Sequence, residues 1–404
     1  PSVGVHDFVR AGGEDGKASA FATAYAPGGA KHNARSVQEL QQLADSCNVV
    51  GATCYAAANH PIITRRRVTR GVKQSGGGDV QQGGAEENMT EEITVPGFFD
   101  VVLVDEAGQM TLPSSLPPLL RGSVFVLVGD PLQLPPLVQS DHASLGGLST
   151  SPMQLLSEAH PTSVAELRTQ YRMAEDLAKI SNVISYGGRL RAANAEIANR
   201  TLHLRKPSPA GTPGWLMHAT DPHNRVVFLD TSAFGVDAYE TNGTSSDKSE
   251  RDGSKNKSTR GNKHVNMFER DVILRVLGVL KSRGAMDGTC AVLSPYNSQV
   301  DLLESDLQKH ADDVPENTQA LTIDRAQGRD VDCVLISFVR GNEGKDSGRL
   351  LADRRRLNVA FTRAKCKLVL VGCGDTLCNS PVMLEVMGLL LGEQWNLPLK
   401  PETF

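Results

Sequence analysis

Phe98-Phe99-Asp100-Val101-Val102-Leu103-Val104-Asp105-Glu106-Ala107-Gly108 is an apolar run that stops abruptly at two adjacent carboxylates. A run that is apolar on both faces suits a central strand of a parallel sheet. Its polar stop places Asp105 and Glu106 at the carboxyl edge of that sheet, where open α/β folds bind ligands. One carboxylate can hold Mg²⁺ through its waters there, while its neighbour orients or deprotonates an attacking water. Taken alone, an Asp-Glu pair is also what a solvated strand end looks like. The next strand candidate, Val124 to Val128, sharpens the choice because it runs into Gly129-Asp130-Pro131-Leu132-Gln133-Leu134-Pro135-Pro136. Gln133 is neutral and can both donate to a phosphate oxygen and accept from water. Two such strand ends in succession point to nucleotide chemistry.

Further strand candidates are Val49 to Ala52, Val226 to Leu229, Cys290 to Leu293, Val331 to Val339 and Lys367 to Val371, and they alternate with helical patterns. That alternation predicts an α/β fold of parallel sheets flanked by helices. Ser36 to Ala44 opens with a capping box (Ser36, Glu39) and carries an apolar stripe. Val265 to Arg283 and Ser298 to His310 read as two longer helices. Residues 71–92 (Gly, Gln and acid) and 232–263 (Ser, Gly, Asn and Lys) read as disordered insertions, and 1–30 as a poorly ordered head. A boundary within 141–151 would divide a partial first domain, 31–145, from a second, 151–390.

The 404 residues and 40% apolar content supply two cores. No run approaches the ~18 apolar residues of a membrane span, so no membrane partner is expected. The formal charge of −4 means that nucleic-acid binding rests on local basic surface such as Arg65, Arg66, Arg67 and Arg70. Seven cysteines without a CxxC pair read as reduced thiols of a nuclear or cytosolic protein, with no zinc or iron–sulfur site expected.

From these strand ends onward the sequence resembles the superfamily 1 helicases, in the branch that moves 5′ to 3′ and includes the nonsense-mediated decay helicase and the eukaryotic replication helicase/nuclease. Gln170-Tyr171-Arg172-Met173, Ser294-Pro295-Tyr296-Asn297-Ser298-Gln299, Thr322-Ile323-Asp324 with Gln327-Gly328-Arg329-Asp330, and Arg356-Leu357-Asn358-Val359-Ala360-Phe361-Thr362-Arg363-Ala364-Lys365 are similar to its successive motifs. The finer match is to the replication helicase/nuclease subfamily, through Thr53-Cys54, Asn59-His60-Pro61-Ile62 and Val334 to Arg340.

The resemblance implies two RecA-like domains side by side, the first incomplete at its amino-terminal side, that hydrolyse ATP with Mg²⁺. It implies Asp105 (Mg²⁺ through water), Glu106, Gln133, Arg172 and Arg363 as catalytic residues, with Gly129, Asp130, Gln327, Gly328, Asp330 and Arg356 around the nucleotide. Thr53, Pro61, Ser294 and Thr322 would contact nucleic acid. The implied partners are single-stranded DNA or RNA, single-strand-binding proteins and replication proteins, in the nucleus. Asp330 stands where the family usually has Glu. Leu357, Ala360, Phe361 and Ala364 fall at i, i+3, i+4 and i+7, so this segment predicts one helix with Arg356 and Arg363 together on its flank.

A nucleotide motor also needs Gly-x-x-x-x-Gly-Lys-[Ser/Thr] to cradle phosphates. The nearest stretch, Gly16-Lys17, has Ala18 in place of the hydroxyl and Ala11 in place of the first Gly. The expectation is therefore a carboxyl-terminal helicase part of a longer chain. A non-hydrolysing nucleic-acid-binding pseudo-helicase is the alternative, as is an RNA helicase of the nonsense-mediated decay type.

Overall fold

The computed structural model describes residues 8–11, 38, 39, 42, 49–59, 63, 67–72, 91–96, 99–242, 264–285 and 290–404. Pro61, the Gly16-Lys17 stretch, Arg65, Arg66 and most of the helix expected at 36–44 lie outside them. Two compact units are present: Pro1–Pro131 with Pro135–Val164, and Leu132–Leu134 with Ala165–Phe404. The division thus falls at Val164–Ala165, later than the expected 141–151. That stretch is instead helical, because Ser140 accepts from the Ala143 amide and Ser151 from the Gln154 amide, each satisfying a helix-start donor.

In the first unit, β1 (Phe8–Ala11) pairs in parallel with β2 (Val49–Ala52), which leads through Thr53 into α1 (Cys54–Asn59). The expected disordered head therefore contains a strand. β3 (Arg67–Val72) and β4 (Glu91–Pro96) form an antiparallel ladder with Gly71 opposite Glu92, so both ends of the expected 71–92 insertion are paired backbone. β5 (Phe99–Val104), α2 (Leu112–Leu119) and β6 (Gly122–Leu127) follow, with β5 and β6 parallel. Their apolar side chains are not enclosed as the pattern predicts: Val101, Leu103, Val124 and Phe125 are exposed. α3 (Pro152–Ala159) completes the unit.

The second unit is a RecA-like layer of six parallel strands. In chain order they are β7 (Val226–Asp230), β8 (Cys290–Ser294), β9 (Gln319–Thr322), β10 (Val331–Ser337), β11 (Ala364–Gly372) and β12 (Asn396–Pro398). They lie in the order β9-β8-β10-β11-β7-β12. Alternate residues serve two cores. Phe228, Leu293, Val334, Ile336 and Leu368 face one, and Val227, Val292, Leu335, Val369 and Val371 face the other. Each such fully buried side chain is worth ~1.5–3 kcal/mol.

α4 (Glu175–Ser181), α7 (Arg354–Phe361) and α8 (Pro381–Gly392) cover the first face, and α5 (Met267–Ser282) and α6 (Asn297–Lys309) the second. The expected 232–263 insertion is ordered at its start, with helical turns over Ser232–Ala238 and the pair Thr241–Asn242 against His264–Val265. Among the described residues there is no group of three or more His, Cys, Asp or Glu able to hold a metal, and no helix long and apolar enough to cross a membrane.

Glu269, in the first turn of α5, is fully buried, and burial pushes its carboxyl up from 4.5 to about 8, against the donors Ser337 Oγ and Val339 N. The folded chain therefore keeps this proton to higher pH than the unfolded chain does. The stability it contributes is complete below the ordinary carboxyl value and is lost as pH rises toward 8. At ~1.4 kcal/mol per pH unit the swing is roughly 4 to 5 kcal/mol. Glu269→Gln should flatten urea-denaturation stability between about pH 5 and pH 8. A variant with the parental pH dependence would show that another group titrates.

Candidate nucleotide and nucleic-acid site

The two strand ends of the first unit are locked together by close backbone approach. Val128 N donates to Val104 O at 2.8 Å and Ala107 N to Val128 O at 2.9 Å. A Cβ on Gly108 would sit 2.9 Å from Asp130 O, and one on Gly129 would sit 3.0 Å from Gly108 N. A side chain at Gly108 would force the Asp130 backbone to shift, and one at Gly129 would press on the amides of Ala107 and Gly108.

Asp105, exposed at the tip of β5, accepts the Glu106 amide at 2.9 Å. Glu106 is exposed, has φ +53°, and accepts from Gln109 Nε2 at 2.7 Å. A non-glycine residue in the left-handed region stores strain of order 1–3 kcal/mol, a feature that gathers at functional sites. Mg²⁺ keeps several waters and needs only one or two carboxylates, so the donor set at Asp105 suits it.

In the second unit the basic residues converge. Gln170 staples the turn Tyr171-Arg172-Met173: its Oε1 accepts from the Arg172 and Met173 amides at 2.8 and 2.7 Å, and its Nε2 donates to Met173 O. Arg172 then reaches Thr362 O at 3.4 Å and Asp330 at 3.6 Å. Arg363 donates to Thr362 Oγ1 at 2.9 Å, to Val359 O at 2.9 Å and to Arg329 O at 3.3 Å. Lys365 lies 3.4 Å from the other Asp330 oxygen. Arg172, Asp330, Arg363 and Lys365 therefore form one cluster around Thr362, at the amino-terminal ends of β10 and β11.

The helical spacing expected for Arg356 and Arg363 is not what joins this cluster. α7 ends at Phe361, and Thr362 returns its hydroxyl to Asn358 O and Val359 O. The Arg363 carbonyl already accepts from Val331 N, beside the first rung of the sheet, Val331 opposite Ala364. Arg356 stays on the helix and is held by Asp324 at 3.0 Å and Asp353 at 3.7 Å.

Gln327 Nε2 is buried with no hydrogen-bond partner, a donor without an acceptor. Gly328 has φ +73° and open space where a Cβ would be, so a ligand can approach its backbone. Gln133 is half-buried.

Of the residues assigned to nucleic acid, Thr53 is exposed and caps α1 by accepting the Ala56 amide at 3.2 Å. Thr322 is nearly buried and accepts from Arg325 N at 3.3 Å. Ser294 is fully buried and faces Tyr296 N at 3.4 Å, so its hydroxyl is not presented to solvent. The exposed residue at that strand end is Asn297, the first of α6.

Sequence reasoning also passed over Tyr171, 70% exposed beside Arg172, and Lys365, the second cation on Asp330. An exposed aromatic next to an arginine in the same motif was a readable signal in the first case. In the second there was none, because the partner lies 35 positions away in sequence.

Two family models, each described as an AAA domain, match residues 148–375 and 83–141. The chain is 36% identical over 372 residues to the DNA replication ATP-dependent helicase/nuclease JHS1 of Arabidopsis thaliana, covering 91% of this chain and 23% of that protein. Against the DNA2 helicase/nuclease of Saccharomyces cerevisiae the identity is 35%, over 74% of this chain and 19% of the relative. For that of Homo sapiens it is 31%, over 89% and 30%. The chain thus spans less than a third of the length of these relatives. An arterivirus nonstructural protein 10 helicase solved with DNA aligns with a TM-score of 0.33 at 16% identity, over 69% of this chain and 41% of that one. With one family model spanning more than half of the chain and its motifs in place, the chain belongs to the superfamily 1 helicases, a family of ATP-dependent helicase motors, close to the DNA replication ATP-dependent helicase/nucleases.

Proposed function

We propose that this chain carries the hydrolysis machinery and part of the strand track of an ATP-driven DNA helicase that moves 5′ to 3′. The observation that carries this is the convergence of Arg172 and Arg363 on Thr362 with Asp330 and Lys365 beside them. Two fixed guanidinium forks match the oxygens of a phosphoryl group as it gains charge, and the turn beside Asp330 keeps Gly328 open for close approach. Glu106 is the group that orients and deprotonates the attacking water, and Gln133 bridges that water and a phosphate oxygen. Asp105 would hold Mg²⁺ through water, and the ion would supply charge neutralisation when bound. Gly129 and Asp130 frame that edge, and Gln327 offers its unsatisfied amide to the nucleotide.

The nucleic acid is contacted through its own phosphate and sugar backbone at Thr53, Pro61 and Thr322. Backbone contact suits a translocating enzyme, because base readout would tie it to sequence. Single-strand-binding and replication proteins in the nucleus are the proposed partners.

Direction and substrate are tested by strand displacement with the full-length protein on duplexes carrying a 5′ or a 3′ single-stranded tail of DNA or RNA. Displacement from the 5′-tailed DNA substrate is expected. Displacement only from the 3′ tail overturns the direction, and a preference for the RNA tail overturns the substrate.

A further inference from the structure

The backbone of Arg172 is held on both sides of its Cα, and only one of the two holds is local. Its amide donates to Gln170 Oε1 at 2.8 Å, two residues back. Its carbonyl accepts from Arg200 Nη1 at 3.0 Å, 28 positions on. Because peptides are planar, a bond at the amide restrains φ of Arg172 and a bond at the carbonyl restrains ψ. The two together set the direction in which its Cα–Cβ bond leaves the chain. The peptide that follows is gripped twice, since Met173 N also donates to Gln170 at 2.7 Å while Arg200 takes the carbonyl.

Arg200 is half-buried and is itself anchored. The segment that carries it is laid against the segment that carries Arg172: Thr169–Gln170 pairs in parallel with Arg191–Ala192, and Ala193 N donates to Gln170 O at 3.0 Å. One helical turn, Ala195–Ala198, then leads to Asn199 and Arg200. Arg225, just before β7, donates through Nε to Arg200 O at 3.0 Å and through Nη2 to Asn199 O at 3.3 Å. Its remaining nitrogen, Nη1, pairs with Asp176 of α4 at 2.9 Å, the two side chains being 18% and 22% exposed.

A continuous chain of contacts therefore runs from α4 through Arg225 and Arg200 to the Arg172 carbonyl. At its far end the Arg172 guanidinium reaches Thr362 O and Asp330. A guanidinium bond to a carbonyl is stronger than a neutral one, so this hold is a firm one. Rates are sensitive to such aim: a reacting group displaced by about 1 Å can lose ~10² in rate.

We propose that Arg200 is a positioning residue for ATP hydrolysis: it holds the Arg172 carbonyl so that the Arg172 guanidinium is aimed at the phosphoryl group, and it does not touch the nucleotide itself. This rests on the reading above that Arg172 meets the phosphoryl group.

The test is a double-mutant cycle on ATP hydrolysis by the full-length protein with saturating single-stranded DNA. Arg200→Met keeps most of the stem and removes the donors; it should lower kcat about tenfold and leave KM for ATP within about twofold. Arg200→Lys keeps an N–H on a similar stem and should stay within about threefold of the parental kcat. In an Arg172→Ala background, Arg200→Met should cost nothing further, because the group it aims is gone. An equal tenfold loss in that background would mean that Arg200 supports the fold or acts on its own, and overturns the proposal. A raised KM with unchanged kcat, or a Lys variant as poor as the Met variant, would make Arg200 a direct phosphate contact and overturn it too. Unchanged kinetics in Arg200→Met overturn it as well. If Arg200→Met fails to fold, the shorter polar variant Arg200→Gln runs the same cycle. Near-parental turnover in Arg172→Ala would sink the assignment of Arg172 on which the proposal stands, and it is seen before Arg200 is changed.

Discussion

Arg363→Lys should lower steady-state ATP turnover by about 10³- to 10⁵-fold, the range for losing an arginine that stabilises a phosphoryl-transfer transition state. That corresponds to roughly 4 to 7 kcal/mol of barrier. The substitution keeps the charge but loses the planar fork, whose nitrogens are spread over Val359 O, Thr362 Oγ1 and Arg329 O. Because Arg363 is 3% exposed, truncation to Ala would also leave carbonyls unpaired and confuse folding with catalysis. KM for ATP should change far less than kcat, since charge on the transferred group grows in the transition state. A Lys variant with near-normal kcat would mean that Arg363 only ties the start of β11 to the Arg329 carbonyl.

Glu106→Gln should lower turnover by about 10²- to 10⁴-fold while sparing the binding of ATP and single strands, because it removes the proton acceptor and keeps the shape. The amide can still present its oxygen to Gln109 Nε2, so the turn need not move. Glu106→Gly separates chemistry from backbone strain. It should equally abolish turnover, yet raise the melting temperature of the protein, since glycine takes φ +53° without the strain glutamate bears. Loss of turnover together with lowered stability in the Gly variant would show that Glu106 serves the fold and not the reaction.

Strands β7, β8, β10 and β11 were legible as apolar runs because parallel strands covered on both faces have no polar side to show. β9 was not: Gln319–Thr322 is too short to separate from a turn, and its identity comes from pairing with Ala291 to Ser294. The same logic misled at β5 and β6, where Leu103 and Phe125 are exposed. An apolar pattern tells what a strand can bury against, not what lies over it.

Candidate residues that sit side by side in sequence, such as Asp105 and Glu106 at the end of β5, were readable as a pair. The pairing of Asp330 with both Arg172 and Lys365 was not, since only the folded sheet brings those positions together. Arg363 was placed on a helix, because periodicity continues through Thr362 while the backbone does not.

The central claim is that this chain holds the working residues of a nucleic-acid-driven ATP hydrolase. Its most direct test is the rate of ATP hydrolysis by the full-length protein, unsubstituted and Glu106→Gln, with and without single-stranded DNA. The prediction is hydrolysis that rises when single strands are added and falls to background in the variant. Hydrolysis indifferent to the strand and unchanged by the substitution would contradict it.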